Sequence, residues 1–140
     1  MESKATLRII GDALIPDKIT RLLGSAPTHA HRKGDLIRGK RTGRERKAPT
    51  GIWLLEAKAR DPADLDRQIA EILDCVTPDP DIWAELSRTF RIDLFCGLLM
   101  ERANEGLALS PSTLAALGNR GIELSFDIYD SIEEATITDA

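Results

Sequence analysis

Three runs of alternating hydrophobicity constrain this chain more than anything else in it. Ala5, Leu7 and Ile9 alternate with Thr6, Arg8 and Ile10. Ile92, Leu94, Cys96, Leu98 and Met100 alternate with Asp93, Phe95, Gly97 and Leu99. Ile122, Leu124, Phe126 and Ile128 alternate with Glu123, Ser125, Asp127 and Tyr129. Successive side chains of a strand point to opposite faces, so period two marks strands with one apolar face. The last run is the cleanest. Its polar side implies a wet face, which favours antiparallel pairing, with Phe126 and Ile128 turned into the core. A fourth run, Ile52 through Ala59, is apolar enough for a strand mostly covered on both faces.

Helical signals separate these strands. Pro16 opens a short helix with Ile19, Leu22 and Leu23 on one face, and Gly24 is its natural stop. Asp61-Pro62 reads as an N-cap followed by a first-turn proline, and Leu65, Ile69, Ile72, Leu73 and Val76 then form an amphipathic stripe. Ile82, Trp83, Leu86 and Phe90 mark another short helix after the Pro78–Asp81 break. Ser110-Pro111 repeats the cap-and-proline start, with Leu114 and Leu117 as the buried face. The expected fold is one α+β domain over residues 1–130, a mostly antiparallel sheet of four or five strands with helices packed mainly on one face. Residues 131–140 are acidic and expected to fray. Gly11, Pro16, Ile19 and Leu22 echo Gly106, Pro111, Leu114 and Leu117 at an offset of 95. The echo hints at a doubled β-α-β unit with ferredoxin-like layering.

Composition removes several classes. At 140 residues, 42% hydrophobic and 30% charged, the chain suits a globular domain and neither a collagen, a disulfide scaffold nor a disordered tail. The longest apolar run, Leu94 to Met100, is too short to cross a bilayer, and the charged start Met1–Arg8 lacks the apolar stretch of a signal peptide. Cys75 and Cys96 sit in apolar contexts without a C-x-x-C, which reads as two buried free thiols in a reducing cytoplasm.

Residues 31–47 stand apart. Arg32, Lys33, Arg38, Lys40, Arg41, Arg44, Arg46 and Lys47 face only Asp35 and Glu45, a local charge of +6, and the rest of the chain carries −10. Three glycines and two aliphatics leave little to bury, so an exposed basic loop at about 31–50 is expected. Clustered Arg and Lys grip carboxylates and phosphates. The candidate binding residues are therefore Arg32, Lys33, Asp35, Arg38, Lys40, Arg41, Arg44 and Arg46, with Trp53 as an apolar floor beside them.

Other chemistry is thinner. Gly34 to Arg41 nearly spells a phosphate loop, but Arg41 replaces the Mg²⁺-binding hydroxyl and no helix signal follows. His29 and His31 share one side of an extended segment, yet a metal site wants further ligands, so no metal or cofactor is expected. Asp12, Asp35 and Asp93 are available for acid–base work, but no spacing selects a pair and no catalytic residue is assigned.

The chain also carries a family pattern. Gly11-Asp12, Ile15-Pro16, Ile19-Thr20 and Leu23-Gly24 are followed by Pro27-Thr28, Lys33-Gly34-Asp35, Gly51-Ile52-Trp53, Leu109-Ser110-Pro111 and Asp127-Ile128-Tyr129. In this order, from about residue 5 to 129, they resemble the bacterial family called domain of unknown function 4279. The resemblance implies a small cytosolic bacterial protein with no established activity and no catalytic residues to carry over. An immunity-type role is one reading it leaves open.

The leading functional reading is a non-catalytic cytosolic interaction or ligand-binding module that uses the basic loop. Its partner is an acidic protein or a phosphorylated ligand. An enzyme acting on a phosphate-bearing small molecule is the alternative. A nucleic-acid binder is a third reading, disfavoured because the loop has no aromatics for stacking. Oligomeric state is not legible.

Overall fold

The N-terminal strand lies at the centre of the sheet. β1 (Glu2–Gly11) pairs antiparallel with β5 (Gly51–Glu56) on one side and with β6 (Arg91–Leu99) on the other. The three-residue strand β2 (His29–His31) adds antiparallel to the outer side of β5. β7 (Glu123–Tyr129) closes the opposite edge, giving the order β2-β5-β1-β6-β7. A separate hairpin joins β3 (Leu36–Arg38) to β4 (Glu45–Lys47). The helices are α1 (Pro16–Leu23), α2 (Leu65–Cys75), α3 (Pro80–Thr89) and α4 (Pro111–Asn119). The structure, a computed structural model, describes residues 1–130, so the expected frayed tail lies outside the described residues. The architecture is α+β with a mostly antiparallel sheet, as the alternation implied.

Period two puts Ala5, Leu7 and Ile9 on the same face as Trp53, Leu94 and Cys96, and these six side chains are buried. It packs against Ile19 and Leu23 of α1, Leu65, Ile69 and Ile72 of α2, Trp83 and Leu86 of α3 and Leu117 of α4. The opposite face holds Arg8, Thr6, Ile52, Leu54, Phe95 and Ser125, which are half-buried. Ile52 and Leu54 are therefore not fully covered, because the helices gather on the other side. Gly51 is required where β5 meets the chain before α1, because a Cβ there would stand 2.7 Å from the Gly11 carbonyl oxygen and 2.8 Å from Leu14 Cβ.

Several expectations change. β7 runs parallel to β6, with Asp93 opposite Glu123 and Leu99 opposite Tyr129. The cause is α4, which carries the chain back along the sheet so that the next strand starts beside the beginning of β6. Parallel pairing needs such a crossover. The β1–β5 pair is antiparallel and the β6–β7 pair parallel, so the 95-residue echo does not extend to a repeated unit. Phe126 and Ile128 do point to the helix side, but they are 42% and 57% exposed. α4 packs Leu117 beside Ile122 and covers only the start of β7. Beyond it no helix among the described residues covers the edge strand, and Phe126, Ile128, Leu98, Met100 and Leu107 line an open apolar groove of about 250 Å³.

Leu114 is also exposed, at 51%. α4 instead turns Thr113 towards α2, where its hydroxyl donates to Asp66 Oδ1 at 2.7 Å. α2 starts at Leu65 and not at Pro62, because Asp64 is the cap and accepts from Arg67 N at 3.2 Å. Residues 60–63 are drawn alongside β1 by Arg60–Ser3 and Ala63–Met1 backbone hydrogen bonds. Cys96 is buried, and burial pushes its thiol up to about 12. Cys75 is exposed, because the stripe of Leu65, Ile69, Ile72 and Leu73 leaves position 75 on the outer side of the helix. Among the described residues no helix is long and apolar enough to cross a membrane.

The exposed edge gives a measurable expectation. Phe126→Ser should lower stability by no more than ~1 kcal/mol in chemical denaturation, as surface substitutions do. A loss of ~3 kcal/mol or more would place the ring in a packed core after all.

Candidate functional site

The basic segment is built as a ribbon, not as an irregular loop. Leu36 pairs with Lys47, Ile37 with Arg46 and Arg38 with Glu45. The base is fastened where Gly34 N donates to the Ala48 carbonyl at 2.9 Å and Ala48 N donates to the Asp35 carbonyl at 2.8 Å. Ala48 is buried and anchors the ribbon to the body. At the tip, Gly39 N donates to the Arg44 carbonyl, and Gly43 takes a φ of 63°, which glycine adopts without penalty. Paired extended backbone satisfies the hydrogen-bonding groups that a bare loop would leave to water. The alternation signal is absent because both faces are polar, so the sequence does not reveal these strands.

The side chains stay outside. Arg32, Lys33, Arg38, Lys40, Arg41, Arg44, Arg46 and Lys47 are all exposed, as is Leu36. Among the described residues only one of these eight cations forms an ion pair, Lys33 Nζ with Asp12 Oδ2 at 3.0 Å. Lys33 and the Thr50 hydroxyl hold the Asp12 carboxyl below its usual range. Asp35 serves its own turn, accepting from Arg32 N at 2.8 Å. The segment resembling a phosphate loop lies within this ribbon, so no helix N-terminus follows Lys40 to face a phosphate.

Trp53 is not brought to the site. It is 0% exposed, on the helix side of β5, and its indole N–H donates to the Thr20 hydroxyl at 3.1 Å. Its neighbours in sequence, Ile52 and Leu54, face the other way and stand opposite His31 and His29 of β2.

That face, on which no helix of the described residues packs, carries a cluster the sequence does not single out. Arg8 Nε donates to Asp93 Oδ1 at 2.7 Å and Arg8 Nη2 donates to Asp93 Oδ2 at 2.5 Å. Ser125 Oγ donates to the same Oδ2 at 2.8 Å. The Arg8 guanidinium lies 4.3 Å from the centre of the Phe95 ring, and Arg91 Nη2 approaches Asp93 at 4.0 Å. Burial pushes the Asp93 carboxyl up, but the Arg8 and Ser125 hydrogen bonds and the two guanidinium charges outweigh it and hold it below its usual range. A carboxylate so fully engaged ties three strands together and is not poised as a general base. The alternation does put Arg8, Asp93 and Ser125 on polar faces. Register alone shows that they meet. His29 and His31, also on this face, approach each other at 3.1 Å between ring nitrogens. Among the described residues no three His, Cys, Asp or Glu side chains gather as a metal cluster.

A family model described as Domain of unknown function (DUF4279) matches residues 1–131 of this chain. No curated protein and no solved structure matches it.

Proposed function

Since the chain belongs to the family described as Domain of unknown function (DUF4279), whose description names no activity, we propose from its own geometry that it is a non-catalytic binding module whose basic ribbon grips an acidic protein surface. The observation that carries this reading is the set of eight exposed cations between Arg32 and Lys47, six of them on the hairpin, with a single ion pair, that of Lys33, among the described residues. Clustered like charges repel one another, and an acidic partner would relieve that repulsion. The ribbon supplies what such a contact uses: fixed backbone, projecting Arg and Lys, and the exposed Leu36. Arg matches carboxylates in paired hydrogen bonds, which gives specificity as well as attraction. An immunity-type role is the special case in which the acidic partner is a toxin. The reading places the protein in the cytoplasm, in keeping with two free thiols.

An enzyme on a phosphate-bearing substrate would want Arg32 and Lys33 turned together into an enclosed site. Lys33 is instead engaged with Asp12, with both side chains more than half exposed.

The test replaces Arg41, Arg44 and Arg46 together by Ser and compares capture from lysate and binding to immobilised poly-glutamate. The variant should lose most binding, and wild-type binding should collapse near 1 M salt, where screening shortens to ~3 Å. Melting should stay nearly unchanged, since exposed charges contribute about 0–1 kcal/mol. Equal capture by both proteins would end this reading. Material released only by nuclease would transfer the ribbon to nucleic acid.

A further inference from the structure

His29 and His31 face one side of β2, and His29 Nε2 lies 3.1 Å from His31 Nδ1. The ring planes are inclined by 68° with centroids 5.3 Å apart, so the rings meet edge to face and do not stack. One nitrogen of each ring therefore comes within bonding reach of a shared point beside the strand, once the hydrogen bond between them opens. With imidazole–metal bonds of ~2.0–2.1 Å, nitrogens at that separation subtend roughly 95–100° at a shared ion. The angle lies between the square-planar and the tetrahedral value, within reach of Cu²⁺, Ni²⁺ and Zn²⁺. From this convergence we propose that His29 and His31 form a two-nitrogen chelating site for a divalent transition-metal ion, binding Cu²⁺ most tightly.

The surroundings suit the assignment. His29 stands opposite Leu54 and His31 opposite Ile52, so the paired backbone of β2 and β5 holds both rings on one face. In the metal-free protein the two nitrogens share one N–H···N hydrogen bond. On binding, that proton moves to the outer nitrogen of its own ring and both inner lone pairs turn to the ion. Among the described residues no third side chain joins them. The remaining positions are therefore open to water or to an anionic ligand, which the nearby Arg46 would favour. The order Ni²⁺ < Cu²⁺ > Zn²⁺ for nitrogen ligands sets the expected preference. Both ligands lie on β2, outside the ribbon strands, so the assignment does not rest on what the ribbon grips.

The experiment titrates Cu²⁺ and Zn²⁺ into the full, untagged chain by calorimetry, with Cu²⁺ spectra read by electron paramagnetic resonance. Wild type should take up one ion per chain with two-nitrogen coupling, Cu²⁺ more tightly than Zn²⁺. His29→Ala and His31→Ala should each weaken binding at least tenfold, and the double variant should retain only background, including any uptake by the N-terminal amine. His29→Gln serves if the alanine variant melts early. In Zn²⁺-bound wild type, ¹⁵N spectra should show His29 Nε2 and His31 Nδ1 as the metallated nitrogens. Affinity equal in wild type and double variant, or metallation at other nitrogens, would overturn the proposal.

Discussion

Arg8→Met should cost ~3–5 kcal/mol at pH 7, because it leaves the Asp93 carboxylate buried with its main partner gone. That would be a large share of a total stability of ~5–15 kcal/mol. The loss should shrink on acidification. In wild type the Asp93 pKa is depressed below its ordinary 3.8, so its contribution is present above that value and is lost as pH falls through the folded-state pKa. In the variant, burial acts without Arg8 and raises the pKa above the unfolded value. The folded variant then takes up a proton first and gains stability as pH falls. Urea denaturation at pH 7 and pH 4.5 should show the two proteins drawing together. The double variant Arg8→Met, Asp93→Leu should recover much of the loss, because it removes the stranded charge as well. A pH-independent loss that the double variant does not relieve would mean that Arg8 acts through its packing on Phe95 alone.

Trp53→Ala should cost a similar ~3–5 kcal/mol, the range for removing a large buried aromatic. The residue sits in the helix-side core and its indole N–H is bonded to Thr20. Its removal opens a cavity between the sheet and α1 and leaves a hydroxyl without its donor. Trp53→Phe keeps most of the packing and should lose less. Neither variant, while folded, should change capture by the basic ribbon. Reduced capture by well-folded Trp53→Phe would return Trp53 to the binding surface. Thermal melts and capture measured on the same samples separate the two effects.

The strands that bury one face are legible because solvent and core impose opposite chemistry on alternate residues. β1 and β6 follow that pattern closely. The basic ribbon has no buried face, so its charge is readable and its backbone pairing is not. Phe126 illustrates a different limit. Alternation reports which side a residue faces but not whether a helix extends far enough to cover it. Direction of pairing fails similarly, since the parallel course of β7 is set by the α4 crossover and not by its own residues. At the candidate site, the cations are evident from composition. The Arg8–Asp93 contact spans 85 positions and depends on register. Trp53 misleads because proximity along the chain to charged residues says nothing about which side of a strand a ring occupies.

The central position of β1 has a consequence for synthesis. Leu7 lies opposite Leu55 on one side and Leu94 on the other. β1 is thus flanked on both sides only after β5 and β6 have followed it in synthesis. Sheets dominated by such distant pairings close slowly, because loop entropy is lost before contacts repay it. Until β6 leaves the ribosome, the apolar side of Ala5, Leu7 and Ile9 can be shielded only in part, by the β5 segment and α1. A nascent chain paused before residue 91 would present a naked strand edge, the kind of surface that holding chaperones bind and that pairs wrongly with neighbouring chains.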